Sequence, residues 1–121
     1  MVYKILITET FEKKFNKLNN YEKERIQIVK EQLKFNPFFG KPLGHKCIRE
    51  KKILGNRLYY LILEENLLVV LAFYGGKKTQ KLDISNLKKL FNENNLIISI
   101  LLFVRFLYLQ GSYEIVQLNL Q

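Results

Sequence analysis

The chain has 121 residues and a formal net charge of +9. This length suits one small domain with a single hydrophobic core, and the positive charge favours an anionic partner: nucleic acid, an anionic membrane surface or an acidic protein. One cysteine excludes an intramolecular disulfide, and one cysteine with one histidine is too few ligands for a zinc site. The opening residues also lack the pattern of a signal peptide, so we expect a domain of a reducing cell interior without a bound metal.

The first part of the chain predicts a strand followed by a helical hairpin. Residues 2–8 are rich in β-forming side chains and predict a strand. Apolar residues at helical spacing follow Thr8 or Thr10, and either can cap the first helix. Asparagines at 19–20 end this helix and can cap the next, which residues 21–34 form with a second apolar stripe. The tight connection predicts that the two helices are antiparallel.

The middle of the chain predicts a small sheet. Residues 36–44 are expected to form a loop, because Pro and Gly stop helices. Three strands then follow at residues 47–54, 57–63 and 67–74. Their turns, at 55–56 and 64–66, are short and favour antiparallel pairing. With Asp83 or Ser85 capping a short last helix, the order is β-α-α-β-β-β-α, an α+β domain with a helical hairpin packed on a mainly antiparallel sheet.

The composition changes near the end of the chain. We predict one domain over residues 1–91 and an apolar C-terminal extension over residues 92–121, which forms an added strand or helix or a separate tail. Residues 96–109 are almost wholly apolar, but these 14 residues fall short of the roughly 20 that a helix needs to span a bilayer. A membrane anchor is therefore not favoured.

Positive charges frame the predicted sheet. Strand side chains alternate between faces, so Arg49 and Lys51 share one face while Lys52 and Glu50 share the other. If the strands are neighbours, cations from Arg49 to Arg57 gather at one rim. Lys and Arg there would hold phosphate groups, and Glu50 is expected to form a structural ion pair with Lys52 or Arg57. The alternative is a solvated rim that binds nothing.

Three further residues are candidates for this chemistry. An exposed Tyr59 or Tyr74 would stack on a base, whereas the alternative places both in the core. His45 is the only histidine and is a candidate acid or base, because its ordinary pKa suits neutral pH. The alternative for His45 is an exposed loop residue.

Three segments together carry a family resemblance. They are "KPLG" at residues 41–44, "REKKILGNRLYYLILEE" at 49–65 and "VVLAFYGGKKTQ" at 69–80. With the predicted order of elements, they resemble the RelE/ParE toxin superfamily of toxin–antitoxin modules, and the RelE-type mRNA interferases in particular. Relatives carry a basic residue at the position of Arg57 and another after the last strand, where Lys77 and Lys78 stand.

The resemblance implies a cytoplasmic endoribonuclease that cleaves mRNA on the ribosome, without metal or cofactor, and that binds a cognate antitoxin. The ribose 2′-OH attacks the adjacent phosphorus, and fixed cations stabilise the charge that develops on the phosphate oxygens. Arg57 is expected to supply that charge, shared with Lys77 or Lys78, one of which would also act as acid. A lysine crowded by cations gives up its proton more easily, so Lys51 or Lys52 is the expected base. Arg49, Tyr59, Tyr74 and Lys81 are the expected RNA-binding residues.

The sequence also departs from the RelE pattern. Many RelE-type members carry tyrosine or histidine after the last strand, whereas residues 77–86 contain neither. The general acid is therefore not assigned by the resemblance. The alternatives are a non-catalytic binding protein, either a ParE-like inhibitor of DNA gyrase or a degenerate toxin that only binds antitoxin, and a general RNA-binding module.

Overall fold

The computed structural model describes residues 1–93 and a strand at residues 115–118. The three helices are α1 (Glu9–Asn16), α2 (Asn20–Phe35) and α3 (Gln80–Glu93). The strands are β1 (Lys4–Thr8), β2 (Lys41–His45), β3 (Ile48–Ile53), β4 (Asn56–Leu63), β5 (Leu68–Gly75) and β6 (Ile115–Leu118). They form one sheet in the order β2-β3-β4-β5-β1-β6. Strands β2 to β5 pair antiparallel, while β1 runs parallel to β5 and β6. The predicted α+β class is confirmed.

Side-chain caps start both helices of the hairpin, as predicted. The Thr8 hydroxyl accepts a hydrogen bond from the Phe11 amide (3.0 Å) and donates to the Ala72 carbonyl (2.6 Å). The Asn19 side chain accepts from the Glu22 amide (2.8 Å). Each bond satisfies a helix N–H that would otherwise lack a partner, and the Thr8 bond also ties α1 to β5.

The sheet separates two apolar layers. On one side, which we call the hairpin face, residues of α1 and α2 such as Phe11, Ile26 and Leu33 pack against Leu58 and Tyr60 of β4. On the other side, the α3 face, Leu87 and Leu90 of α3 pack against the alternate residues of β4 and β5. Neighbouring residues of β4 therefore serve different layers, as the alternation of strand side chains requires.

Two connections differ from the sequence prediction. The segment predicted as a loop contains strand β2, which pairs with β3 through Lys41↔Glu50 and Pro42↔Arg49. Proline is tolerated there because β2 lies at the edge of the sheet, where one side of the strand needs no partner. The turn between β3 and β4 lies one residue earlier than predicted, at Leu54 and Gly55, whose φ angles of 52° and 85° fit a two-residue hairpin loop.

The last helix also begins earlier than predicted. A 3-10 turn at Lys77–Thr79 leads into α3 at Gln80, ahead of both predicted caps. The Thr79 hydroxyl donates to the Asp83 carboxylate (2.8 Å), so Asp83 lies inside the first turn of α3.

The C-terminal region is described only in part. Helix α3 ends at Glu93, and β6, inside the predicted extension, pairs with β1 through Ile5↔Ile115 to Thr8↔Leu118. The predicted boundary at residue 91 stays a prediction, and the apolar run at 96–109 lies outside the described residues. Within the described ranges, no helix combines the length and apolar character needed to cross a membrane.

Candidate functional site

Two cations lie opposite each other at the end of the sheet where β3 finishes and β4 begins, and three more follow β5 at the same end of the sheet. Lys52 lies directly opposite Arg57, and Arg57 pairs with Gly75 at the end of β5. The 3-10 turn that follows holds Lys77 and Lys78, and Lys81 lies in the first turn of α3. We call this set, Lys52, Arg57, Lys77, Lys78 and Lys81, the basic rim. Adjacent strands are about 4.8 Å apart, so Lys52 and Arg57 are close neighbours, and the rim as a whole draws on four elements: β3, β4, the 3-10 turn and α3.

Arg57 differs from the four exposed lysines of the basic rim, because only 8% of its surface is exposed. Its Nε atom lies 3.6 Å from Oε2 of Glu50, which is 5% exposed. The predicted ion pair of Glu50 is thus confirmed with Arg57. A buried carboxylate beside the arginine lowers the net charge that Arg57 offers to a ligand, and it also holds the guanidinium in place.

Three buried polar atoms on the α3 face lack a hydrogen bond within the described part of the chain: Glu50 Oε1, Arg57 Nε and the Tyr59 hydroxyl. Tyr59 lies directly opposite Glu50 across β3 and β4. Burial and the negative charge of Glu50 raise the pKa of Tyr59 to about 12. Unpaired buried polar groups are rare in folded proteins, so this cluster distinguishes the Arg57 end of the sheet. The sequence predicted the pair but gave no sign of this burial.

Arg49 and Lys51 lie on the hairpin face and point away from Arg57. The Arg49 guanidinium donates to the carbonyls of Gly40 (2.7 Å), Lys46 (2.7 Å) and Phe38 (3.3 Å). It therefore fastens the segment between α2 and β2 to the sheet. The Lys51 ammonium lies 4.2 Å from the centroid of the Phe39 ring, a favourable cation–π distance.

Lys51 and Lys52 nevertheless share an open pocket. Strand β2 pairs with β3 only as far as Glu50, so no described strand covers this edge at the end of β3. A pocket of about 380 Å³ lies there, lined by Lys51, Lys52, Lys41 and Phe39 among others. Three lysines at one pocket are suited to binding an anion. The structure thus groups the two β3 lysines at the sheet edge but puts only Lys52 on the same face as Arg57.

The tyrosines do not offer the rings that base stacking needs. Tyr59 is 0% exposed and Tyr74 is 5% exposed. The Tyr74 hydroxyl donates to the Glu22 carboxylate, which also accepts from Asn56 Nδ2 (2.7 Å). Burial and this bond to Glu22 raise the pKa of Tyr74. Because stacking requires an open ring face, the prediction that Tyr59 or Tyr74 stacks on a base is corrected.

His45 lies at the opposite end of the sheet. It pairs with Ile48 at the start of β3, and four residues at about 3.3 Å each separate Ile48 from Lys52. Its Nδ1 accepts from the Cys47 amide (3.0 Å) and its ring packs 4.8 Å from that of Phe91. The structure does not bring His45 to the basic rim. The exposed pair Lys46–Glu64 (3.0 Å) lies at this same end.

Comparisons with known proteins identify the fold. No family model matches the sequence, and no curated protein matches it. Several solved structures, however, match the fold of this chain. A mutant of the E. coli toxin RelE in the free state matches with a TM-score of 0.61 and 19% identity, over 71% of this chain and 93% of that one. RelE in the intact E. coli RelBE toxin–antitoxin complex gives 0.58 and 22%, over 62% and 96%.

An archaeal structure matches in the same way. The RelE–RelB complex from Pyrococcus horikoshii gives a TM-score of 0.56 and 15% identity, over 63% of this chain and 96% of the other. At these identities the likeness establishes the fold. The chain therefore has the RelE toxin fold, as its sequence motifs indicated.

Proposed function

We propose that this protein is the toxin of a toxin–antitoxin module and an endoribonuclease that cleaves mRNA on the ribosome. The observation that carries the proposal is the meeting of Arg57, Lys52 and the Lys77–Lys78 pair at one end of a sheet with the RelE fold. Fixed cations at one site stabilise the charge of a phosphate in its transition state.

The proposed reaction uses the substrate's own ribose 2′-OH as the nucleophile. A base removes its proton, the oxygen attacks the adjacent phosphorus, and an acid protonates the leaving 5′ oxygen. Lys52 fits the base better than Lys51, because Lys52 lies opposite Arg57 on the same face. Arg57 stabilises the phosphate oxygens, and Lys77 or Lys78 supplies further charge and the leaving-group proton. Since the nucleophile comes from the RNA, the proposal requires no metal or cofactor.

The proposed physiological partner is an antitoxin protein. Several of the solved structures with this fold are complexes of RelE with RelB. An antitoxin that covers this toxin would bring acidic side chains to the basic rim, because complementary charge favours association. Both partners would act in the cytoplasm.

A non-catalytic function is the second candidate. Arg57 is mostly buried and already paired with Glu50, and residues 77–86 hold neither tyrosine nor histidine. These features favour a protein that has kept the fold but not the chemistry. It would be either a ParE-like inhibitor of DNA gyrase or a toxin that only binds its antitoxin.

The test is mRNA cleavage on programmed ribosomes by the purified protein, with variants Arg57→Ala and Lys52→Gln. We expect the wild type to cleave and Arg57→Ala to be slower by about 100-fold, or about 2.7 kcal/mol of transition-state stabilisation. Lys89→Gln on the exposed surface of α3 is the charge-matched control for Lys52→Gln.

Arg57→Ala leaves Glu50 buried without its partner, so its folding is checked by circular dichroism. Lys52 is exposed, and Lys52→Gln keeps the test independent of that risk. If folded wild-type protein does not cleave, the enzymatic proposal fails, and inhibition of DNA gyrase becomes the next assay.

A further inference from the structure

The end of β5 is open along one edge. Strand β1 pairs with β5 only as far as Ile7↔Leu71, after which the chain turns into α1. Beyond that point, no described strand covers this side of Phe73, Tyr74 and Gly75. Helix α1 and the start of α3 flank the gap instead. The gap forms a pocket of about 380 Å³, which we call the α1–α3 pocket.

Lysines in α1 and at its C-terminal cap line one side of this pocket. They are Lys13, Lys14 and Lys17, all exposed. Lys13 forms an ion pair with Glu9 (2.9 Å), whereas no ion pair of Lys14 or Lys17 is seen in the described part of the chain. On the other side, the Asp83 carboxylate accepts from Thr79, so part of its charge is already engaged within α3. Lys14 and Lys17 are therefore free to bind an anion.

An aromatic ring lies between these lysines and the basic rim. Phe73 is half-buried, lines the α1–α3 pocket and is directly opposite Tyr59. Its diagonal neighbour across β4 and β5 is Arg57, since Arg57 pairs with Gly75 two residues further along. Such diagonal neighbours are on the order of 7–8 Å apart. Tyr74 also lines this pocket but is only 5% exposed, whereas Phe73 is half-buried and has more surface available to a ligand.

An aromatic surface beside free cations is the usual means of holding single-stranded nucleic acid. We propose that the α1–α3 pocket is a subsite for the nucleotide next to the phosphate held by Arg57, with its base on Phe73 and its phosphate on Lys14 and Lys17. The proposal rests on the proposed function in taking single-stranded RNA as the ligand. The RNA backbone then crosses the end of β5, from the basic rim to α1.

The first experiment measures binding rather than cleavage. The affinity of a short, fluorescently labelled single-stranded RNA is compared between wild type, Lys14→Gln/Lys17→Gln and Lys88→Gln/Lys89→Gln. Both double variants remove two charges from exposed positions. We expect about a tenfold loss of affinity for the α1 variant and a smaller salt dependence, by about one unit of log–log slope, because fewer counterions are released. The α3 variant should change affinity by less than about twofold. Equal losses in the two variants would overturn the subsite.

The second experiment addresses the ring. Phe73→Leu should weaken RNA binding by about tenfold while Phe73→Tyr keeps it, because only the aromatic residues can stack. Thermal unfolding of both variants separates stacking from packing against the α3 face. If Phe73→Leu binds RNA as tightly as Phe73→Tyr, the base does not stack on Phe73.

Cleavage on programmed ribosomes distinguishes this inference from the proposed function. If the wild type binds RNA through Lys14 and Lys17 without cleaving mRNA, the enzymatic proposal fails and the subsite stands. If the wild type cleaves while the α1 and Phe73 variants match their controls in binding and in cleavage, the subsite fails alone. A wild type that binds no single-stranded RNA overturns the subsite directly.

Discussion

Two adjacent tyrosines of β4 show how the two faces of the sheet differ. On the hairpin face, the Tyr60 hydroxyl donates to the Pro37 carbonyl (2.7 Å) and accepts from the Gly40 amide (2.9 Å). On the α3 face, the Tyr59 hydroxyl has no hydrogen bond to any described residue. An unpaired buried polar group costs about 1–3 kcal/mol. On the hairpin face the tyrosine hydroxyl thus ties the sheet to the segment before β2, whereas on the α3 face the tyrosine hydroxyl adds an unpaired polar atom to the cluster around Arg57.

The largest expected effect comes from Gly40, which makes the close approach on the hairpin face possible. A Cβ at this position would lie 2.6 Å from the Glu50 carbonyl oxygen and 2.7 Å from the Tyr60 hydroxyl. We expect Gly40→Ala to lower the free energy of unfolding by about 3 kcal/mol, because backbone atoms must move. Chemical denaturation measures it. Gly76→Ala is the control and should cost about 1 kcal/mol or less, since among the described residues its Cβ would meet the Asn56 side chain alone, at 3.1 Å. Equal losses of unfolding free energy in the two variants would mean that the close approach at Gly40 does not limit the packing of the hairpin face.

The second prediction compares two ion pairs at opposite ends of the sheet, the buried Glu50–Arg57 and the exposed Lys46–Glu64. Glu50→Gln should lower the free energy of unfolding by about 2 kcal/mol, because Arg57 stays buried without a compensating charge. Lys46→Gln removes the exposed partner of Glu64 and should produce no measurable change, since solvent screens that pair. Urea titrations of both variants at the same ionic strength test this. A larger loss of unfolding free energy for Lys46→Gln than for Glu50→Gln would mean that the exposed ion pair, rather than the buried one, stabilises the fold.

Removing the hydroxyl from each of the two tyrosines gives a matched pair of variants, Tyr60→Phe and Tyr59→Phe. Tyr60→Phe should cost about 1–2 kcal/mol, because the Pro37 carbonyl and the Gly40 amide lose their shared partner. Tyr59→Phe removes a hydroxyl without a hydrogen bond and should leave stability unchanged or slightly higher. Thermal unfolding of the two variants is the measurement. A greater loss for Tyr59→Phe would mean that its hydroxyl has a partner after all.

The smallest effect is a dependence on alkaline pH. Burial raises the pKa of Tyr60 to about 12, above the ordinary tyrosine value of 10.0. The folded state thus favours the neutral phenol, and its contribution is complete below pH 10 and is lost as the pH rises toward 12. At pH 11 the loss is about 1 kcal/mol for this tyrosine. Unfolding measured at pH 9 and pH 11 should show it, and Tyr60→Phe should show a smaller loss than the wild type. An equal loss in both would assign the effect to other groups.

Local patterns predicted most of the fold. Thr8 and Asn19 act as helix caps because their side chains bond to amides only three residues away, a relation that the sequence displays directly. The strands from β3 to β5 follow from apolar runs between short turns. Strand β2 was missed because Pro42 and Gly44 are loop residues by local preference. These residues nevertheless form a strand because they pair with β3 at the edge of the sheet.

The site was predicted less well, because burial depends on contacts between distant residues. The alternation of β3 correctly separated Lys51 from Lys52, and it placed Glu50 on the face where it meets Arg57. It contained no information on whether Tyr59 or Tyr74 is covered, since that depends on α2 and α3. The pocket beside Phe73 exists because β1 is shorter than β5, and no local pattern marks that difference.

Strand β1 is synthesised before the other described strands, but its neighbour β5 is synthesised much later. The hydrogen bond from Thr8 to Ala72 joins residues 64 positions apart, and β1 cannot pair until β5 has been synthesised. At about 5–20 residues per second, that interval is roughly 3–13 seconds. The antiparallel strands from β3 to β5, by contrast, need only adjacent turns. The β3–β4 hairpin that carries Arg57 is therefore expected to form while the apolar β1 is still unpaired, and during that interval β1 is exposed to chaperones and to aggregation.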